Sequence, residues 1–288
     1  MAFGARPPLV VAALVLVAAA ACGGGAKQYE LTGQVLAVRA ESREILIKHQ
    51  DIPNFMPGMT MPFKVRDAAL LDQVAPGDLV VAQLMVAPTE AWIASVTKTG
   101  SAPLPDTPPP ATPASGVTVL RPGDEAPVTA LEGSDGQPVG LADFRGSAVA
   151  VTFIYTSCPL PQFCPLMDRR FAEIQRTVAD TPALAGRVRL LSVSFDPDTD
   201  TPARLRAHAT SLGADPAVWH FATAPRDAVD RFAAAFGVNV IREADGTITH
   251  NLRTATIGPD GRVIAIRDGN EWTPEQVVAD LTHALAGS

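Results

Sequence analysis

The sequence predicts two domains, a small all-β barrel of the OB type and a following α/β domain with a mixed sheet. A run rich in proline, alanine, serine and threonine at 100–116 has no apolar periodicity, which favours an extended spacer. Short β-branched segments precede it, and apolar strands alternating with helical patterns follow it. We therefore divide the chain into a leader at 1–26, a barrel at 27–99, a linker at 100–116 and the α/β domain at 117–288.

The start of the chain resembles a secretory signal. Arg6 precedes an apolar run from Leu9 to Ala21, which is too short to span a bilayer because a spanning helix needs roughly 20 residues. Cys22 and three glycines follow in the pattern of a bacterial lipoprotein signal, although Ala19 stands where such signals usually have leucine. A cleaved signal with an incidental cysteine is the alternative. We expect an exported, periplasmic protein that lipidated Cys22 anchors to a bacterial membrane.

The barrel is predicted from five segments in which apolar and polar residues partly alternate. They are Leu31–Val38, Arg43–His49, Met59–Val65, Asp78–Val86 and Ala91–Lys98.

The α/β domain begins with near-continuous apolar strands, as expected for a sheet covered on both faces. The predicted strands are Ala148–Tyr155 and Val188–Phe195, with a hairpin over Arg253–Ile266. The predicted helices are Pro165–Ala179, Thr201–Leu212, Ala228–Gly237 and Thr273–Leu285.

The charge of the chain excludes one class of partner. Its net charge is −7, and lysine and arginine form no cluster. Because phosphate binding needs a basic face, we expect no nucleic-acid partner.

Two cysteines lie between the first strand of the α/β domain and the following helix. Cys158 and Cys164 are separated by five residues that include two prolines. Reactive groups gather at the carboxyl ends of strands in open α/β sheets, and a helix N-terminus favours a nearby thiolate. The residues alone leave three alternatives: a structural disulfide, a redox couple or a pair of metal ligands. The spacing is unlike that of redox pairs, which are typically two residues apart.

The α/β domain resembles the SCO/SenC family of copper-delivery proteins for cytochrome oxidase, over about 117–285. The similar blocks are GSAVAVTFIYTSCPLPQFCPLM, SVSFDPDTDTPARLRAHA, WHFATA, FAAAFGV and HNLRTATIGPDGRV. The resemblance implies a thioredoxin-like fold in which two cysteines and a distant histidine bind one copper ion. It assigns these roles to Cys158, Cys164 and His250, and it places Asp196 where the family has an acidic residue. The family usually has three residues between its cysteines, whereas five stand here.

The chemistry of these side chains fits copper. Two thiolates and an imidazole suit Cu(I) and, with weak further ligands, Cu(II). Taken alone, His250 could be a surface residue. Asp196 could serve in copper transfer or partner contact, or it could equally cap a helix or turn in its Asp-rich loop. His208, His220 and His283 are interpreted as structural.

The barrel contains a second candidate metal site. Three of the six methionines, Met56, Met59 and Met61, follow shortly after His49. Met59 and Met61 share one face of their strand, where the imidazole of His49 can meet them across the ladder. Thioethers and an imidazole favour Cu(I). The alternative is that the methionines only fill an irregular core.

This segment resembles the CusF-like family of periplasmic copper-binding barrels over about 29–98. The resemblance assigns His49, Met59 and Met61 as copper ligands. Met56 falls where the family has a tryptophan over the metal, which removes a cation–π contact and adds a thioether.

Together these features predict an exported, lipid-anchored copper chaperone. By resemblance, it delivers copper to the copper-binding subunit of cytochrome c oxidase. Two alternatives stay open: an enzyme, a thiol–disulfide reductase that uses Cys158 and Cys164, and a periplasmic copper-buffering protein.

Overall fold

The structure is a computed structural model that describes residues 1, 26–56, 58–104, 117–242 and 248–287. The predicted signal, including Cys22, and most of the predicted linker lie outside the described residues. Within the described ranges, no helix combines the length and the apolar character needed to cross a membrane.

Five antiparallel strands form the first sheet, as predicted. Their spatial order is β3-β2-β1-β4-β5. The alternating pattern directs Leu31, Val35, Ile45, Ile47 and Phe63 into a common interior. The strands are β1 (Lys27–Arg39), β2 (Glu44–His49), β3 (Met59–Lys64), β4 (Asp78–Val86) and β5 (Ala91–Ser101).

The sheet closes on itself to form the barrel. An isolated parallel bridge joins Val65, just after β3, to Ile93 in β5, so the two edge strands meet. Irregular pairing between β1 and β2 and between β4 and β5 supplies the local bends that closure requires. Strand β5 pairs through Ser101 with Asp78 and therefore continues across the expected start of the linker at residue 100.

A seven-stranded mixed sheet forms the core of the α/β domain. The order is β14-β13-β8-β9-β10-β6-β7, with β8, β9 and β10 parallel at the centre. Every residue of β8 is buried, which explains its continuous apolar sequence. The strands are β6 (Leu131–Gly133), β7 (Pro138–Val139), β8 (Ala148–Ile154), β9 (Val188–Ser194), β10 (Trp219–Thr223), β13 (Arg253–Ile257) and β14 (Val263–Asp268).

Four α-helices and a short hairpin flank this sheet in the described part of the domain. Helices α1 and α4 pack against each other and against β8, while α2 packs on β10. The hairpin pairs β11 (Val240–Arg242) with β12 (Ile248–His250). The helices are α1 (Cys164–Asp180), α2 (Pro202–Ser211), α3 (Arg226–Ala235) and α4 (Pro274–Ala286), each within two residues of its predicted bounds.

The barrel and the α/β domain contact each other. Leu160, between the two cysteines, is only 1% exposed and belongs to the apolar cluster of the barrel. Phe163 packs against the apolar clusters of both domains. At the rim, the Nζ atom of Lys64 lies 2.8 Å from Oε1 of Glu271. The loop from Cys158 to Cys164, called the cysteine loop, thus makes an apolar contact between the domains. Strand β12 also packs on β3, and an exposed ion pair accompanies these contacts.

Candidate metal centres

Strand β8 ends at Ile154, shortly before the cysteine loop. Its parallel neighbour β9 ends at the same edge of the sheet, so the loops after both strands meet there. Cys158 lies in the loop and is half-buried, whereas Cys164 is the first residue of α1 and is buried. No disulfide joins these two cysteines.

The cysteine loop is fixed to the rest of its domain by two hydrogen bonds. Arg169 donates from Nη2 to the carbonyl oxygen of Pro161 at 2.8 Å. Asn270 donates from Nδ2 to the carbonyl oxygen of Gln162 at 2.8 Å. These bonds hold the five-residue loop in a defined shape, with Leu160 directed into the barrel.

The two thiols have different electrostatic environments. A hydrogen bond from the Cys164 side chain is the main factor that lowers the pKa of Cys158. Burial raises the pKa of the Cys164 thiol, despite its position at the start of α1. The expectation that the helix N-terminus would favour a thiolate therefore fails for Cys164, where desolvation dominates, and Cys158 is the more acidic thiol.

His250 lies at the same edge of the sheet as the cysteine loop. It ends β12, and the next strand, β13, pairs with β8 so that Thr254 lies opposite Thr152 near the end of β8. Its ring contacts the ring of Tyr155 edge-on at 5.6 Å between centroids. Tyr155 lies between the end of β8 and the cysteine loop, so the fold brings His250 to the loop that holds Cys158.

The imidazole of His250 is neutral at neutral pH. Burial lowers its pKa to about 4. Its Nδ1 atom lies 3.2 Å from the carbonyl oxygen of Asn251, which can only accept, so Nδ1 carries the proton. The Nε2 atom therefore presents a lone pair, as a metal ligand requires.

The barrel places the side chains of its predicted metal ligands on one face. His49, the last residue of β2, pairs with Met59, and Ile47 pairs with Met61, because β2 and β3 are antiparallel. Met56, in an isolated bridge with Ile52, is also buried. This arrangement brings one imidazole and neighbouring thioethers to the same end of the barrel.

His49 has an unused ring nitrogen. Its Nδ1 atom donates to the carbonyl oxygen of Gln50 at 2.7 Å, and its buried Nε2 atom has no hydrogen-bond partner in the described structure. Burial lowers the pKa of His49. An orphaned lone pair on a neutral imidazole beside methionine sulfurs fits a soft monovalent metal such as Cu(I).

The loop before β3 is tightly constrained. The backbone N–H of Gly58 donates to Oδ1 of Asp51 at 2.6 Å. A Cβ atom at Gly58 would come within 2.9 Å of the carbonyl oxygen of His49. Residue 58 must therefore be glycine, because a larger residue would prevent the loop before β3 from lying this close to the end of β2.

One small cavity contacts predicted residues of both sites. Met56, Met59 and Met61 line it from the barrel, and Cys158 and His250 line it from the α/β domain. Its volume is about 30 Å³. No three histidine, cysteine, aspartate or glutamate side chains in the described ranges already form a metal-binding cluster. A complete set of metal ligands at this cavity must therefore include methionine sulfur, or a side chain must move slightly to complete it.

Comparison with known proteins assigns both domains. The SCO1/SenC family model matches residues 129–286, more than half of the chain. The chain belongs to the SCO1/SenC family. The model described as the copper binding periplasmic protein CusF matches residues 28–98, which cover the barrel. Copper is therefore the metal, as predicted, and the α/β domain is called the SCO domain below.

Individual relatives agree with this assignment. The chain is 27% identical to the SCO1 protein homolog of Bacillus subtilis (strain 168) over 158 residues, which cover 54% of this chain and 79% of that protein. It is 26% identical to BsSco, described as a member of the Sco family of cytochrome c oxidase assembly proteins. That structure has a TM-score of 0.50 and covers 59% of this chain and 99% of its own.

The thioredoxin-like fold of the SCO domain is confirmed. A SCO1/SenC family lipoprotein from Bacillus anthracis str. Ames has a TM-score of 0.51 and 24% sequence identity. The similarity covers 59% of this chain and 99% of that protein, and it shows the shared fold.

Sequence reasoning missed the residue that supports the cysteine loop of the SCO domain. Asp200 is fully buried and accepts hydrogen bonds from the backbone N–H and the hydroxyl of Thr156, two residues before Cys158. Ser194 donates to the same carboxylate at 2.6 Å. Its signal in the sequence is its position in the Asp-rich loop that also contains Asp196.

Asp196 has a local structural role in the SCO domain. Its backbone N–H is 3.1 Å from the hydroxyl oxygen of Ser194, and its carbonyl oxygen accepts from the backbone N–H groups of Thr199 and Asp200. These bonds use only backbone atoms of Asp196, so the role of its carboxylate stays a prediction. The half-buried Asp196 carboxylate also helps to raise the pKa of Tyr155, after the larger effects of burial and the two cysteines.

A histidine–aspartate pair lies close to Cys164. The Nε2 atom of His208 on α2 is 2.9 Å from Oδ2 of the buried Asp168 on α1. This hydrogen bond is the main cause of a raised pKa at His208. The pair joins two helices and supports the interpretation of His208 as structural.

We expect this pair to make stability depend on pH. A histidine whose pKa is raised by folding stabilises the folded state fully at a pH below its unfolded pKa. This stabilisation is lost as pH rises through the folded pKa. The free energy of unfolding, measured with urea, should therefore decrease from about pH 6 to about pH 8. His208→Gln should reduce that decrease. An equal decrease in the variant and the parent protein would contradict the prediction.

Proposed function

We propose that this protein is an exported copper chaperone in which the barrel captures Cu(I) and the SCO domain delivers it. The observation that supports this proposal best is the cavity lined by thioethers of the barrel together with Cys158 and His250 of the SCO domain. Soft sulfur donors and neutral imidazoles bind Cu(I) without strong competition from hard cations. In this proposal the barrel uses His49, Met59 and Met61, with Met56 as a further thioether.

The SCO domain would hold copper through Cys158, Cys164 and His250. The exposed fraction and lower pKa of Cys158 suit it to be the first thiol that binds. Cys164 has to lose its proton in a buried position, so copper binding at this thiol has to offset a desolvation cost. Asp196, one residue after the ring of Phe195 that contacts His250, is proposed as an auxiliary residue for copper transfer or partner contact.

The proposed domain organisation serves this transfer. Units at 27–99 and 117–288, joined by the segment at 100–116, keep the two sites in one molecule, which raises the concentration of one site at the other. We propose a signal at 1–26, with Cys22 as the lipidated residue that anchors the protein on the periplasmic side. The B. anthracis relative is described as a lipoprotein, which supports an anchor of this kind.

The proposed recipient is the copper-binding subunit of cytochrome c oxidase. The support is the description of BsSco as belonging to a family of cytochrome c oxidase assembly proteins. Measurement of the copper content of the oxidase after deletion of the gene tests this choice. An unchanged copper content would favour the copper-buffering alternative.

A thiol–disulfide reductase is the second candidate function. The unequal acidity of Cys158 and Cys164 supports it, because exchange begins with attack by the more acidic, more exposed thiolate. The same dithiol could reduce the cysteines of a copper-protein client and bind copper when reduced.

Replacement of His250 separates these two functions. His250→Ala removes an imidazole ligand and should weaken Cu(I) binding at the SCO domain about tenfold or more, judged by competition with a chromophoric Cu(I) chelator. Electron transfer from the reduced dithiol to a model disulfide should continue, because neither thiol is changed. Unaltered Cu(I) affinity in the variant would argue against the chaperone and for the reductase.

A further inference from the structure

The cavity between the two domains contains donors that belong to two different proposed sites. Three thioethers from the barrel, a thiol and an imidazole line a volume of about 30 Å³. A cavity needs about 10–15 Å³ of such space to hold one water molecule, so there is room for a small guest. The lining is mostly apolar apart from these donors, with Pro62, Leu160 and Phe163 among the other contacts.

The docked arrangement is built around the cysteine loop. Leu160 is part of the apolar cluster of the barrel although it belongs to the SCO domain. Hydrogen bonds to Pro161 and Gln162 fix the loop on its own domain. The same short segment therefore contributes to the docking, together with the contact between β12 and β3, and holds Cys158 beside the methionines of the barrel.

We infer that the docked chain binds one Cu(I) ion between its domains, through Cys158 and His250 of the SCO domain and the thioether of Met59 or Met61. This composite site rests on the proposed function. It would be the intermediate through which copper passes from the barrel to the SCO domain. One thiolate, one imidazole and one thioether form a soft three-ligand set that suits Cu(I). Neither domain supplies this ligand set alone.

Copper would pass through the composite site by ligand exchange. The ion leaves His49 and one barrel thioether as it binds Cys158 and His250, and it keeps one Cu–thioether bond until Cys164 replaces it. Each thiol releases its proton to solvent as it binds. Copper stays Cu(I) throughout, so no electron acceptor or donor is needed.

Methionine methyl NMR tests the composite site directly. We would label the methionine methyl groups of the reduced full chain with ¹³C, in a His49→Leu variant that weakens the site within the barrel, and add one equivalent of Cu(I). The Met59 or Met61 methyl signal should shift. Cys158→Ser in the same background should abolish that shift.

Two results would overturn the inference. One is copper bound to the cysteines with both methyl signals unmoved, which would leave the proposed function intact. The other is a methyl shift that persists in the Cys158→Ser variant, which would place the ion on the barrel alone. If the chain with intact cysteines binds no Cu(I) at the SCO domain, the proposed function itself fails.

A second variant tests the dependence on docking. Leu160→Asp places a charge in the barrel contact and should abolish the methyl shift while copper stays on the cysteines. Leu104→Asp is the matched control, because Leu104 is 47% exposed and distant in sequence from both sites. Dispersed amide signals would confirm that each variant folds. A methyl shift retained in folded Leu160→Asp would contradict the inference, and Cys158→Ser decides the question if that variant does not fold.

Discussion

Replacing Cys158 and Cys164 with serine should lower the copper bound by the reduced full chain from about two ions to about one. Serine hydroxyls are poor ligands for Cu(I), so the SCO domain loses its sulfur donors while the barrel keeps His49 and its methionines. Equilibrium dialysis with Cu(I), followed by elemental analysis of copper per chain, measures the change. This variant should therefore lose about half of the copper that the parent chain binds.

The matched variant changes the other domain. Met59→Leu with Met61→Leu removes two thioethers but nearly conserves side-chain volume, so the barrel should still fold. Its copper content should also fall to about one ion per chain, and the four substitutions together should leave almost none. Unchanged copper content in the methionine variant would mean that these side chains only fill the core.

Removal of the Asp200 carboxylate should cause the largest loss of stability. Asp200 accepts hydrogen bonds from Thr156 and Ser194 in a fully buried position, and Arg204 lies 3.5 Å from it. Asp200→Ala leaves these donors unsatisfied, which should lower the free energy of unfolding by about 3 kcal/mol. Urea denaturation of the full chain, monitored by tryptophan fluorescence, measures this change.

Asp198 provides the control for this substitution. It lies in the same loop and pairs with Arg226, but its side chain is 65% exposed. Asp198→Ala should therefore change the free energy of unfolding by less than about 1 kcal/mol. Equal losses in the two variants would show that loop geometry, and not the buried hydrogen bonds of Asp200, determines stability.

The five barrel strands, the four helices and the strands β8, β9, β13 and β14 were predictable because their signals are local, whereas β6, β7, β10, β11 and β12 were not predicted. The continuous apolar sequence of β8 indicates burial on both faces, and Pro202 and Pro274 mark the first turns of α2 and α4. The pairing of His49 with Met59 also follows from local information, since β2 ends at the histidine and β3 begins at the methionine.

Other features of the sites depend on contacts between distant parts of the chain. The intercysteine spacing gives no sign that Leu160 packs into the barrel, because that contact requires both domains to be folded and docked. The role of Asp200 is equally hidden, since its partner Thr156 is 44 residues away. The position of His250 relative to the thiols was available only from the family resemblance.

Both candidate copper-binding histidines are held in the same way, with Nδ1 facing the carbonyl oxygen of the next residue. Neutral imidazoles and thioethers have no proton to lose, whereas each thiol must lose one. The pH of the medium would therefore determine which of the two domains holds copper. A more acidic medium favours retention on the barrel, and a more alkaline one favours passage to Cys158 and Cys164.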